Sequence, residues 1–142
     1  MSEDETYVEI FKHMNEKVID TANLFLRSAI LINGGAAVAV LGFVASIAKA
    51  DKAYSEAIVG VADAISYFAL GAVAGVLGIA IAYLTNYAAL ATLNQRGGTR
   101  EKFFGNVKRF VHLFALVVAA STVAFFLLGV FEVKSAITSG LV

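Results

Sequence analysis

"LINGGAAVAV", residues 31–40, sets Asn33-Gly34-Gly35 inside an uninterrupted apolar run. In a water-soluble chain Asn-Gly is a strong turn signal, because both residues tolerate positive φ. The flanking residues decide against a turn. From Ser28 to Ala48 no charged residue occurs, and about 20 such residues suffice to cross a bilayer as a helix. Inside hydrocarbon a turn would strip backbone N–H and C=O groups of partners, at several kcal/mol each. The reading is therefore a helix that runs through 33–35, with the glycines letting another backbone approach closely. A locally unwound helix that offers its carbonyls to an ion or substrate is the alternative, and no carboxylate within the span supports it.

Composition points the same way. The 142 residues are 59% hydrophobic and 15% charged, with mean hydropathy +0.79, whereas a soluble domain carries about 25% charged residues. Two further stretches are long and apolar: 57–93, interrupted only by Asp63, and 110–131, where His112 is the only ionisable group. Spans are expected at 25–48, 66–86 and 110–131 in a single membrane domain. The N-terminus "MSEDETYVEI" is acidic where a secretory signal is basic, so the first span is read as retained. Eight basic residues fall in the N-terminal tail and the 94–109 connection, against Lys49, Lys52 and Lys134 on the other side. The positive-inside rule then places the N-terminus in the cytoplasm and the C-terminus opposite, in the cell (inner) membrane.

Residues 3–24 read as an amphipathic helix continuous with the first span. Tyr7, Phe11, Met14, Val18, Thr21 and Phe25 form a seam, and Glu9, Lys12, Glu16 and Asp20 occupy the other face. Six acids against three bases would be repelled by anionic lipid, so this helix is expected to pack on protein rather than lie in the interface. "NQRGGTREK", residues 94–102, is a turn by composition, and "KADKAYSE", residues 49–56, is similarly short. Short connections make an up-down-up bundle of three antiparallel helices, an all-α integral membrane fold.

Small residues recur along the first two spans. Gly35, Ala39 and Gly42, beside Gly34, make one stripe, and Gly71, Gly75, Gly78 and Ala82 make another that extends outward to Ala64 and Gly60. Both are expected to be helix-packing faces, within the chain or between copies. Asn33 is expected to hydrogen-bond across helices, with Tyr83 as a partner at similar depth and Asn86 marking the polar inner end. A ring of Asn33 side chains at an oligomeric constriction is the functional alternative. Asp63 reads as an interfacial residue facing water or pairing with Lys49 or Lys52, or else as an outer mouth that attracts ions. Arg27 is placed to snorkel towards headgroups. Arg96, Arg100, Lys102, Lys108 and Arg109 set the topology and offer a possible anionic-lipid contact.

No catalytic constellation is expected. The histidines are His13 and His112, there is no cysteine, and Gly97-Gly98-Thr99 runs into Arg100 instead of completing a phosphate loop. No metal, cofactor, nucleic acid or small-molecule substrate is indicated; the partners are the lipid bilayer and other membrane helices. The function expected is non-catalytic: an oligomeric or accessory subunit of a membrane complex. The alternative is a homo-oligomeric pore. In size and span count alone the chain resembles the phage holins, which implies membrane permeabilisation, although the orientation read from its charges is the reverse of theirs.

Overall fold

The computed structural model describes residues 3–47, 55–94, 98 and 100–139. Its helices are α1 (Glu3–Ile47), α2 (Ser55–Asn94) and α3 (Glu101–Ser139). With no proline in the chain, nothing removes a backbone donor or forces a kink. The helices hold 45, 40 and 39 residues. At 1.5 Å per residue they are roughly 67, 60 and 58 Å long, about twice a hydrocarbon core of ~30 Å. The amphipathic tail and the first span are one helix, and Asn33-Gly34-Gly35 is helical throughout. The stretches long and apolar enough to cross a membrane are Lys12–Ile47, Ile58–Ala89 and Lys102–Ser139.

Paired contacts fix the direction of each helix. Leu26, Ile30 and Asn33 of α1 meet Gly78, Gly75 and Gly71 of α2 in reverse order. Phe68 of α2 meets Gly129 of α3, and Gly60 meets Ala136. The bundle is thus up-down-up, with α2 in the middle and α1 scarcely touching α3.

Most of the buried apolar side chains lie along α2. Val61, Ala64, Phe68 and Ala74 are buried, and Phe68 is 2% exposed. Its ring fills the space that a side chain at Gly129 would take, since a Cβ there would lie 2.6 Å from Cε1. It also packs on Phe126 at a centroid distance of 5.8 Å, within the range where aromatic pairs attract beyond their area burial.

By contrast the buried residues of α1 fall within two turns. Leu26, Ala29 and Asn33 are its buried residues, and no described residue N-terminal to Leu26 or from Gly34 to Ile47 is buried. On both sides of these turns α1 keeps a half-buried stripe, Ile19 and Asn23 towards its N-terminus and Ala37, Val40, Val44 and Ile47 towards its C-terminus. Met14 and Val18 of the amphipathic seam are exposed, so no described residue covers them. Tyr7 and Phe11 lie outside the described side chains.

The accessible surface is 10267 Å², whereas a compact soluble monomer of this mass would expose about 7,000 Å². Leu31, Val38, Phe110, Val117 and Leu127 are among the large apolar residues on it. Three antiparallel apolar helices with apolar flanks define a multi-pass helical membrane protein.

Removing the Phe68 ring should expose the weight of the α2–α3 contact. Phe68→Ala is expected to lower stability by about 3–5 kcal/mol, as for a large buried aromatic. Leu70→Ala, half-exposed on the same helix, should change it by no more than about 0.5 kcal/mol. Unfolding by detergent titration in mixed micelles, followed by circular dichroism, measures both.

Candidate helix-packing site

Asn33 occupies the α1 crossing. A side-chain amide cannot face lipid cheaply, and here it is 1% exposed. Its Nδ2 donates to the Ala29 carbonyl one turn back at 2.9 Å and to the Thr122 carbonyl of α3 at 3.3 Å. Each carbonyl oxygen has a second lone pair beyond the one used by its own helix. Oδ1 is buried without a hydrogen-bond partner and points at Gly71, where an added Cβ would lie 2.6 Å from Asn33 Cγ. The amide orientation follows from this: the reverse would set Oδ1 against two carbonyl oxygens. A glycine Cα–H facing a carbonyl oxygen across helices is a weak attraction, and here it only partly offsets desolvation.

The same logic repeats along the contact. A Cβ at Gly75 would lie 2.6 Å from Ile30 Cγ1, and one at Gly78 would lie 2.7 Å from Leu26 Cδ2. Gly71, Gly75 and Gly78 are therefore notches for side chains of α1. The two small-residue stripes do not face each other within the chain. At Gly34, Gly35 and Gly42 an added Cβ meets nothing within 4 Å, and Ala39 is exposed. Their stripe points away from α2 because α1 turns Leu26, Ile30 and Asn33 towards it.

Other expectations change in the same way. Tyr83 is 70% exposed and is not the partner of Asn33; it lies 12 residues beyond Gly71, roughly 18 Å further along α2. The partner is Thr122, 0% exposed, whose own hydroxyl donates to Ala119 O at 2.7 Å. Ser121 is similarly tied to Val118 O. A ring of Asn33 side chains between protomers is not built, because the amide is enclosed within one.

Asp63 is exposed and has no ion pair among the described residues; Lys49 and Lys52 lie outside them. Arg27, Arg100, Lys102, Lys108 and Arg109 are exposed, and Arg96 lies outside the described residues. Asn86 and Ala82 are half-buried and, with His112, line a cleft at one end of the bundle. Among the described residues no group of three or more histidines or acids is placed to hold a metal ion.

Leu26 and Ile30 carry no individual mark in the sequence. Their steps to Asn33, four then three, and those from Gly78 through Gly75 to Gly71, three then four, each keep to one helix face, and that is the available signal. Compared with protein-family models, curated proteins and solved structures, the chain matches none significantly.

A double-mutant cycle tests the notch. Gly71→Ala forces a methyl group into the amide and should cost about 2 kcal/mol, as overpacking does. Combining it with Asn33→Ala should recover at least about half of that loss, a coupling of the size seen between contacting residues. Gly35→Ala should stay within about 0.5 kcal/mol. Detergent-unfolding curves of the four variants supply the numbers.

Proposed function

We propose that the protein is a non-catalytic membrane subunit that assembles with another membrane helix through α1. The observation that carries this is the exposed face Gly35, Ala39, Gly42 and Ser46, spaced 4, 3 and 4. Within the chain the equivalent spacing on α2 accepts side chains of a neighbouring helix, so the notch geometry is one this fold already uses. In lipid, helix association comes from close van der Waals packing, and small residues permit it. The α1 face remains open after the chain has folded, and a second copy or another membrane protein fits it equally in chemistry.

The charge asymmetry supports an inner-membrane orientation with the N-terminus and the 94–109 connection cytoplasmic. The alternative of a homo-oligomeric pore draws less support. A pore needs polar groups along a lining face, and the mid-depth polar residues Asn33 and Thr122 are turned inward and bonded within the protomer. Assembly without conduction is the better reading.

A photoreactive amino acid at Ala39, activated in native membranes, tests the face. Covalent products of twice the chain mass identify a second copy, and products of another mass identify a different subunit. Recovery of lipid adducts alone would sink the proposal. Gly42→Ile, at a position with open space around it, should abolish protein crosslinking while leaving helicity and unfolding unchanged within about 0.5 kcal/mol.

A further inference from the structure

From Leu26 towards the N-terminus of α1, a cleft of about 670 Å³ opens between α1 and α3. Its floor is α2, with Gly78, Ala82, Thr85 and Asn86. Its walls are almost wholly apolar, including Val18, Ala22 and Phe25 from α1 and Ala115, Leu116 and Ala119 from α3. The two threonines do not change this. Thr21 donates to Lys17 O at 2.8 Å and Thr85 to Ile81 O at 2.9 Å, so both hydroxyl protons are spent on their own helices.

Polarity is confined to one end. Lys17, Asn86 and His112 line the cleft, and their side chains make no hydrogen bond or ion pair among the described residues. No acid lines it. The two carboxylates nearest in sequence, Glu16 and Asp20 on α1, lie outside the lining.

Depth follows from the helical rise. Thr122 lies at the middle of the apolar stretch 110–131, and Asn33 and Gly71 are level with it. At 1.5 Å per residue, Ala119 is roughly 5 Å from that level, Leu26 and Gly78 roughly 10 Å, and His112 roughly 15 Å. By the same rise Asn86 and Lys17 are roughly 22 and 24 Å away. Half the hydrocarbon core is about 15 Å thick, and headgroups occupy the next several ångströms. The apolar part of the cleft thus spans one leaflet's acyl region, and its donors stand at headgroup height.

We infer that this cleft holds an acyl chain of an anionic membrane phospholipid, with the phosphate beside Lys17 and His112. Charge decides the headgroup: the lining holds donors and a lysine charge, while the acids of α1 that would repel anionic lipid elsewhere along the helix lie outside it. Depth decides the chain. The cleft runs from headgroup height to near the membrane middle, one leaflet deep, which is the reach of an acyl chain and about half that of a spanning helix. A volume within the ~300–1,000 Å³ of small-molecule sites suits a lipid chain entering sideways between α1 and α3. The inference does not depend on which face is cytoplasmic, or on α1 having a protein partner.

The test uses the full chain in nanodiscs containing a phospholipid with a diazirine near its acyl terminus, as either the phosphatidylglycerol or the phosphatidylcholine form. Labelled peptides are mapped by mass spectrometry. The glycerol form is expected to label residues 18–26 and 115–119 about fivefold more than the choline form, the worth of one basic charge near an anionic surface. Lys17→Gln should erase that preference, and Ala115→Phe should remove cleft labelling while labels at the exposed Leu127 and Leu128 persist. Should Ala115→Phe fail to fold, Lys17→Gln, at an exposed position, decides alone. Equal labelling by both lipids, or a lipid-excluding crosslink from Ala82 to a second copy, overturns the inference.

Discussion

Asn33 reaches from α1 across the Gly71 notch to the Thr122 carbonyl, and the arrangement of all three helices depends on that reach. Its energetic value is small. An interhelical hydrogen bond in a membrane is worth about 0.6 kcal/mol on average and up to ~1.7, while a buried acceptor left unpaired costs about 1–3 kcal/mol. These terms roughly cancel. What the asparagine supplies is register. The notch row continues from Gly78 to Ala82, so α1 sliding by one turn would still find small residues opposite Leu26 and Ile30. Only the present register brings the amide to Thr122. A single buried polar residue setting register at little gain in stability is a role asparagine has in coiled coils.

From that crossing follow the shape of the molecule and both of its open surfaces. The α2–α3 pair is joined along its length, from Gly60 against Ala136 to Phe68 against Gly129. The α1 helix has its buried residues in two turns and scarcely touches α3. This leaves a gap on one side of α1 and an open face on another, and the two differ in chemistry. Towards the N-terminus the gap is a cleft rimmed by Lys17 and His112. Towards Ile47 the α1 surface offers Gly35, Ala39 and Gly42 with nothing against them.

The two surfaces divide along the membrane's own polarity. Lipid has little to gain from a face of glycines and alanines compared with a helix whose side chains enter it. A cleft that is apolar at depth and cationic at its rim matches the lipid molecule itself, apolar at one end and charged at the other. The lipid and protein contacts proposed for α1 thus occupy different ends of one helix, and neither requires rearrangement of the α2–α3 pair.

Much of the fold is legible in the sequence because the bilayer is so restrictive a solvent. Three long apolar stretches, no proline and short polar connections leave few structures other than an up-down-up helical bundle, since every backbone polar group at depth must bond within its own helix. That constraint also settles the opening stretch: Asn33-Gly34-Gly35 stays helical. The neighbours of each residue were beyond the sequence. Both spans carry small-residue stripes of similar spacing, and spacing alone does not say which stripe receives side chains and which stays open. Rotation of α1 about its axis decided that, and it is set by where Leu26, Ile30 and Asn33 fit together against α2 and where Asn33 finds a carbonyl on α3. The cleft was hidden for the same reason, because its lining comes from three helices whose separation depends on the crossing of α1. Sequence periodicity records one helix at a time, whereas a notch, a register and a cleft are properties of helices placed against one another.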